Sequence, residues 1–207
     1  MAWKLDNSLI EDRHALDGNV SGHEFRHLLA KDGETADEYM PRCLASRLRA
    51  GAIAEKLGYS GIRGKTVVDI GCNRGRYLQM LRDLGAKEVY GIDPYQEAIA
   101  EAIDKYRLDI AHALNIPVEG LPDQFNQFFD TAFLFNPDIP AANLEAFFKK
   151  LDSILKSKGE LVVTFAEKVR EEMYKDPLSE YFDYKGPIKL FEGSGVHQSI
   201  IIARKLK

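Results

Sequence analysis

Short apolar runs alternate with amphipathic helical patterns from about residue 65 to the end of the chain, and this alternation limits the fold most. Five runs predict buried strands at 66–70, 88–92, 110–115, 129–135 and 160–165. Helical patterns stand before and between them. Because helices connect successive parallel strands through right-handed crossovers, this order predicts an α/β fold with a mainly parallel sheet.

Helical periodicity and glycines define the remaining elements. Helices are expected at 35–57, 76–84, 96–106 and 143–155, with Gly85 ending the second and Gly159 capping the last. Segments 188–191 and 198–203 predict a terminal hairpin. The expected architecture is a doubly wound, mostly parallel, seven-stranded sheet at 65–207 with an antiparallel C-terminal hairpin. A helical N-terminal cap at 1–64 would cover the substrate.

Composition narrows the class of protein. The 207 residues are 45% hydrophobic and 29% charged, which suits one globular domain. Cys43 and Cys72 are too few for a disulfide framework, and neither a signal pattern nor a membrane-spanning apolar stretch is seen, so a cytoplasmic protein is expected. The net charge of -4 disfavours strong nonspecific nucleic-acid binding.

The sequence VVDIGCNRG at 67–75 joins the first strand to the first helix of this domain. Gly71 would permit a tight turn beside a ligand, and Gly75 would bring the helix close to the sheet. Asp93 ends the next strand 22 positions after Gly71, where a carboxylate accepts hydrogen bonds from ribose hydroxyls. The dinucleotide fingerprint fails at Asn73 and Arg76, and no Gly-Lys-Ser/Thr of a P-loop is present.

The run resembles the first motif of class I S-adenosylmethionine-dependent methyltransferases, D-x-G-x-G-x-G, with Asn73 replacing the middle glycine. Asparagine adopts left-handed backbone conformations more readily than most residues, so the turn stays feasible. GIDPYQEAI at 91–99 and FFDTAFLFN at 128–136 resemble the second and fourth motifs. The similarity extends from about residue 65 to the C-terminus. It implies a Rossmann-like domain that binds S-adenosylmethionine and releases S-adenosylhomocysteine.

The resemblance also implies cofactor-binding positions. Asp69 would lie near the methionine moiety, Asp93 would accept the ribose, and Val118 and Glu119 would flank the adenine, although Pro117 stands where the family has an aspartate. The full set that it implies is Asp69, Gly71, Cys72, Asn73, Gly75, Asp93, Pro94, Val118, Glu119, Phe135 and Asn136.

A purely structural role is the alternative for several of these residues. In that case Gly71 and Gly75 are ordinary turn glycines, and Asp93 is a helix N-cap. Cys72 is expected to be packed and not reactive, because neither His nor Lys adjoins it in sequence. Arg74 is expected to be a solvated loop charge.

The acceptor is expected to be a small molecule, with nucleic acid not favoured. Candidate substrate residues in the cap are His23, His27, Tyr39 and Arg42. The sequence at 136–139, Asn-Pro-Asp-Ile, resembles part of the N/D-P-P-Y tetrad of amino-group methyltransferases, but lacks its second proline and aromatic residue. The sequence identifies no general base; His112 and the cap histidines are guesses.

Three alternatives remain. In the first alternative, the chain is a regulatory or accessory module that binds the cofactor without turnover. His-Glu-Phe-Arg-His at 23–27 formally matches a zinc-protease motif, but Arg26 and the lack of a third ligand argue against it, so no metal is predicted. Finally, AHALNIPVEGLP at 111–122 is similar to a segment of tRNA wobble-uridine carboxymethyl transferases, whose cofactor-anion contacts cannot be placed here.

Overall fold

The computed structural model describes residues 62–106, 112–135, 137–165, 168–189 and 199–206. Its strands are β1 (Thr66–Ile70), β2 (Glu88–Ile92), β3 (Ala113–Leu114), β4 (Phe129–Phe135), β5 (Leu155–Phe165), β6 (Phe182–Tyr184), β7 (Ile188–Lys189) and β8 (Ser199–Lys205). Its helices are α1 (Arg76–Asp83), α2 (Gln96–Tyr106), α3 (Leu144–Ile154) and α4 (Lys168–Ser179).

Several predictions fall outside these residues. They are the helix at 35–57, the motif at 23–27, the substrate candidates His23, His27, Tyr39 and Arg42, and the cofactor candidate Asn136. The division of the chain at residue 64 likewise stays a prediction.

The described strands form one eight-stranded sheet in the order β3-β2-β1-β4-β5-β8-β6, with β7 paired to β8. Pairing is parallel from β3 through β5, and β8 runs antiparallel to β5, β6 and β7. The predicted mostly parallel sheet and its C-terminal hairpin are therefore confirmed, with one strand more than expected. Strand order reverses between β1 and β4, so a ligand is expected at their carboxyl ends.

Alternate side chains of each strand pack against opposite helical layers. Val67 shares one core with Leu81 of α1, whereas Val68 shares the other with Leu151 of α3 and Tyr174 of α4. Burial on both faces explains why the strands read as continuous apolar runs.

The predicted C-terminal end of the third described helix is wrong. Helix α3 ends at Ile154, and Leu155 is already extended, with φ -79° and ψ 138°. Phe129 pairs with Leu155 but Thr131 pairs with Glu160, so β5 bulges between these two pairs. Gly159 lies in this bulge and is no helix cap. An added Cβ there would lie 2.8 Å from the Lys156 carbonyl oxygen, so the bulge itself requires glycine.

Two elements were not predicted, α4 and β6. Their apolar residues Tyr174, Leu178 and Phe182 are buried and recur every fourth position, which is a helical signal. Surrounding charges and Pro177, inside the helix, obscured it.

Candidate functional site

The glycine loop after β1 is built from three left-handed residues. The φ angles are 73° at Gly71, 47° at Asn73 and 77° at Gly75. The N–H groups of Gly71 and Cys72 both donate to the carbonyl oxygen of Ile92 in β2, at 2.8 and 3.1 Å. The chain thus turns sharply from β1 into α1, and Asn73 adopts the conformation expected of it.

Asp93 fixes this loop from the end of β2. One of its carboxylate oxygens accepts the Asn73 N–H at 2.9 Å, and the other accepts the Tyr95 N–H at 2.9 Å. Its backbone N–H donates to the Leu114 carbonyl at 3.1 Å, while the Asn115 side-chain amide donates to its carbonyl at 3.2 Å. The buried Asp93 therefore joins the loop, the start of α2 and the end of β3.

The bond to Tyr95 shows that Asp93 does stabilise the local turn before α2, as an Asx turn would. The bond to Asn73 shows that it does more than a simple cap. Asn115 was missed by sequence reasoning, although a polar residue directly after a strand at this edge was the available signal.

Asp69 lies one residue before the end of β1 and is 1% exposed. Neither carboxylate oxygen has a hydrogen-bond partner among the described residues. Burial raises the pKa of Asp69 well above its usual range, and the nearby charge of Asp93 raises it further. A buried polar group without a partner is costly, so a cationic ligand group at this place would be stabilised.

The outer side of the glycine loop is uncovered by the described residues. A Cβ added to Gly71 would meet none of their atoms within 4 Å, and Gly71 and Asn73 are exposed. A ligand would therefore reach the loop backbone from this side.

The inner side of the loop is tightly packed. A Cβ added to Gly91 of β2 would lie 2.8 Å from both Cys72 Sγ and a Leu78 methyl carbon. Cys72 is buried there, and this burial, with the charges of Asp69 and Asp93, raises the pKa of its thiol. Cys72 thus packs beneath the loop and is no activated nucleophile, as expected.

Aromatic rings occupy the carboxyl end of β4. Phe135 is partly exposed and stacks on Tyr77 of α1, with ring centroids 3.7 Å apart and planes at 22°. Phe133 stacks beside Phe135 at 5.7 Å. Sequence reasoning singled out Phe135 but missed Tyr77, since nothing local to α1 indicates its partner on β4.

The other candidates lie in different surroundings. Val118 is buried in the core on the α3 side, whereas Pro94 and Glu119 are exposed. The roles of these three residues toward adenine and ribose stay predictions. Arg74 is not a solvated charge, because its guanidinium pairs with Glu101 of α2 at 2.7 Å.

No group of three or more His, Cys, Asp or Glu side chains within the described part of the chain is placed to hold a metal ion. No helix in the same ranges is long and apolar enough to cross a membrane.

Part of the described sheet is similar to a known protein family. Residues 67–159 match the family model described as "Methyltransferase domain". Among similar curated proteins is the tRNA U34 carboxymethyltransferase of Campylobacter hominis, 34% identical over 113 residues, covering 50% of this chain and 36% of that protein. The enzyme of the same name from Colwellia psychrerythraea is 37% identical over 110 residues, covering 50% and 33%. The chain thus spans about a third of the length of these relatives.

Solved structures agree on the fold. Magnesium protoporphyrin IX methyltransferase from Synechocystis PCC 6803, solved with bound SAM, has a TM-score of 0.67 and 20% identity, covering 99% of this chain and 100% of that one. An N-methyltransferase from Bradyrhizobium japonicum WM9 has a TM-score of 0.63 and 16% identity, covering 78% and 97%. At these identities the likeness concerns the fold alone.

Proposed function

We propose that the chain is a class I S-adenosylmethionine-dependent methyltransferase that transfers a methyl group from S-adenosylmethionine to an acceptor beside the end of β4, a proposal supported by the match of residues 67–159 to the methyltransferase domain model. The observation that carries this proposal is the pair of buried carboxyl groups at the strand-order reversal. Asp93 holds the glycine loop, and Asp69 has no hydrogen-bond partner among the described residues.

The residues present fit this cofactor. S-adenosylmethionine bears two cationic groups, a sulfonium and an ammonium, together with a ribose diol. The unpartnered carboxyl of Asp69 suits a cationic group, and the open side of Gly71 leaves room along the loop backbone. Asp93 accepts one hydrogen bond from the described residues on each oxygen, and each carboxylate oxygen has a second lone pair for a ribose hydroxyl.

The bound cofactor supplies an electrophilic methyl group that is already activated by its positive sulfur. The protein's part is then mainly to bind and orient. Asp93 would fix the adenosine end through the loop, Asp69 would lie near the methionine end, and Phe135 with Tyr77 would form an apolar wall on the acceptor side that excludes water.

The described residues offer no support for His112 as a general base. His112 precedes β3, and its ring lies against Tyr90 with centroids 4.5 Å apart. Because Ala113 pairs with Gly91, His112 lies about level with the middle of β2 and not with Asp93 beyond its carboxyl end.

The names of the curated relatives favour RNA as the acceptor. The expectation of a small molecule rested on overall charge and size, which say little about a local binding surface. We therefore propose an RNA base as the acceptor. Because the relatives carry that name, carboxymethyl transfer is the second candidate reaction.

The test uses the full chain, S-adenosylmethionine labelled on the methyl group, and unfractionated bacterial tRNA. Label that becomes acid-precipitable and is released by ribonuclease would support an RNA acceptor. Asp93→Ala should lose binding and transfer, whereas Asp104→Ala, an exposed carboxylate of α2, should retain both.

Other outcomes separate the alternatives. In a parallel reaction the donor is S-adenosylmethionine carboxylated on its methyl group, because unmodified S-adenosylmethionine cannot supply a carboxymethyl group. Mass spectrometry of the nucleosides from the two reactions distinguishes methyl from carboxymethyl products. Tight S-adenosylhomocysteine binding without transfer to RNA or to a small-molecule extract would favour the non-catalytic module. Absence of S-adenosylhomocysteine binding at millimolar concentration would overturn the proposal.

A further inference from the structure

The loop between β4 and α3 donates a hydrogen bond to a distant helix. This loop contains Pro137, Asp138, Ile139 and Pro140 and begins just beyond Phe135. The Ile139 N–H donates to the Tyr174 hydroxyl of α4 at 3.1 Å, across 35 positions of sequence. The segment that borders the proposed acceptor side is thereby tied to α4.

The Tyr174 ring is fixed by the core. Its side chain is 0% exposed, and it lies edge-on to Phe165, the last residue of β5, with centroids 5.3 Å apart. The ring also lies edge-on to Phe148 of α3, at 5.9 Å. The hydroxyl therefore has a position that three elements of the fold determine together.

The backbone of this loop has little conformational freedom. Each proline fixes its own φ and restricts the residue before it. Ile139 is partly buried and packs against the core that contains Tyr174. Because the loop is stiff, the Ile139–Tyr174 bond also restrains the residues on either side of Ile139.

We propose that Tyr174 is a positioning residue for the acceptor: its hydroxyl holds loop 137–140 in the place that acceptor binding requires. This inference rests on the proposed function. Tyr174 lies on the α3 and α4 side of the sheet, whereas the glycine loop leads into α1 on the other side. Its loss should therefore affect acceptor turnover and leave cofactor binding unchanged.

The matched pair of variants is Tyr174→Phe and Tyr184→Phe. Tyr174→Phe keeps the buried ring and deletes the oxygen that accepts from Ile139. Tyr184→Phe deletes a hydroxyl that donates to the Lys175 carbonyl of the same helix at 3.4 Å and is not bonded to the loop. A general loss of helix stability would appear in both variants.

Three measurements are made on the full chain. Hydrogen–deuterium exchange should show the Ile139 amide exchanging about tenfold faster in Tyr174→Phe, as expected for one lost bond of typical strength. The Kd for S-adenosylhomocysteine should stay within about twofold. The kcat/KM for methyl transfer to unfractionated tRNA should fall about tenfold, and Tyr184→Phe should match the wild type in all three.

Unchanged exchange at Ile139 in Tyr174→Phe would overturn the inference whatever the activity. So would equal losses of cofactor affinity and turnover, because they would indicate general damage. Failure of the wild-type chain to bind S-adenosylhomocysteine or to modify tRNA would count against the proposed function instead. The exchange measurement would then decide alone whether Tyr174 holds the loop.

Discussion

Two aspartates at opposite ends of the same sheet have opposite surroundings. Asp130, at the amino end of β4, accepts the Thr66 N–H on one oxygen and pairs with Lys156 on the other, both at 2.9 Å. Partial burial tends to raise its pKa, but the bonds from Lys156 and Thr66 outweigh that effect and lower it. Asp69, near the carboxyl end of β1, has no such bond among the described residues, and its pKa is raised.

The contrast extends to neighbouring charges. At the amino end, Glu160 pairs with Lys65 at 3.3 Å and with Arg204 at 3.1 Å. Both cations thereby have an anionic partner within the fold. At the carboxyl end, Asp69 has no hydrogen-bond partner among the described residues, and its repulsion from Asp93 is not compensated by them. The amino end is thus arranged to hold the sheet together, whereas the carboxyl end is where we propose that a cationic ligand binds.

The largest expected effect comes from Asp69→Asn, which removes the charge and keeps the shape. Loss of one charge-assisted interaction should weaken S-adenosylmethionine binding about 10- to 100-fold. Isothermal titration measures it, with Asp104→Asn as the control for a simple change of net charge. Equal affinity in the wild type and Asp69→Asn would contradict a ligand-binding role for Asp69, which would then be only a buried core residue.

The same variant should change how stability depends on pH. Because the pKa of Asp69 is raised in the folded state, the folded chain binds more protons than the unfolded chain above about pH 4. Stability from this group should fall as pH rises from about 4 towards the raised pKa. Asn does not titrate, so the variant should gain in Tm over the cofactor-free wild type on going from pH 5 to pH 8. A Tm difference that stays constant with pH would contradict this.

Asp130→Asn should behave in the opposite sense and more weakly. The lowered pKa means that its contribution is present above about pH 4 and is lost as pH falls through the folded-state value. Since Lys156 is 44% exposed, the ion pair is worth about 0.5–1 kcal/mol.

Urea denaturation at pH 7 should show that loss for Asp130→Asn, and the difference from the wild type should shrink below pH 4. Lys156→Met is the companion variant that removes the same ion pair from the other side. A loss above about 2 kcal/mol, beyond the range of partly exposed pairs, would show that the amino end depends on Asp130 more than the geometry indicates.

Sequence patterns predicted the fold better than the site because they report local burial. The bounds of β1, β2, α2 and β4 match the prediction, since each is a buried run or an amphipathic face that its own residues define. The prediction that Gly159 caps a helix was wrong because the apolar Leu155 continues the helical spacing into a strand. The stack of Tyr77 on Phe135 and the bond from Ile139 to Tyr174 join residues far apart in sequence, so only the fold reveals them.

The smallest effect is expected at Asn73, the one departure from the family's glycine motif. Its φ of 47° suits glycine, so Asn73→Gly removes the strain of a side chain in the left-handed region. The added freedom of the unfolded chain offsets this gain, and the free energy of unfolding should change by no more than about 0.5 kcal/mol.

The hydrogen bond to Asp93 is donated by the backbone N–H of Asn73, so it survives the substitution. Titration with S-adenosylhomocysteine should therefore give a Kd within about twofold of the wild type. An affinity gain of tenfold or more would show that the Asn73 side chain itself obstructs the ligand, and the open outer side of the loop would then be narrower than Gly71 indicates.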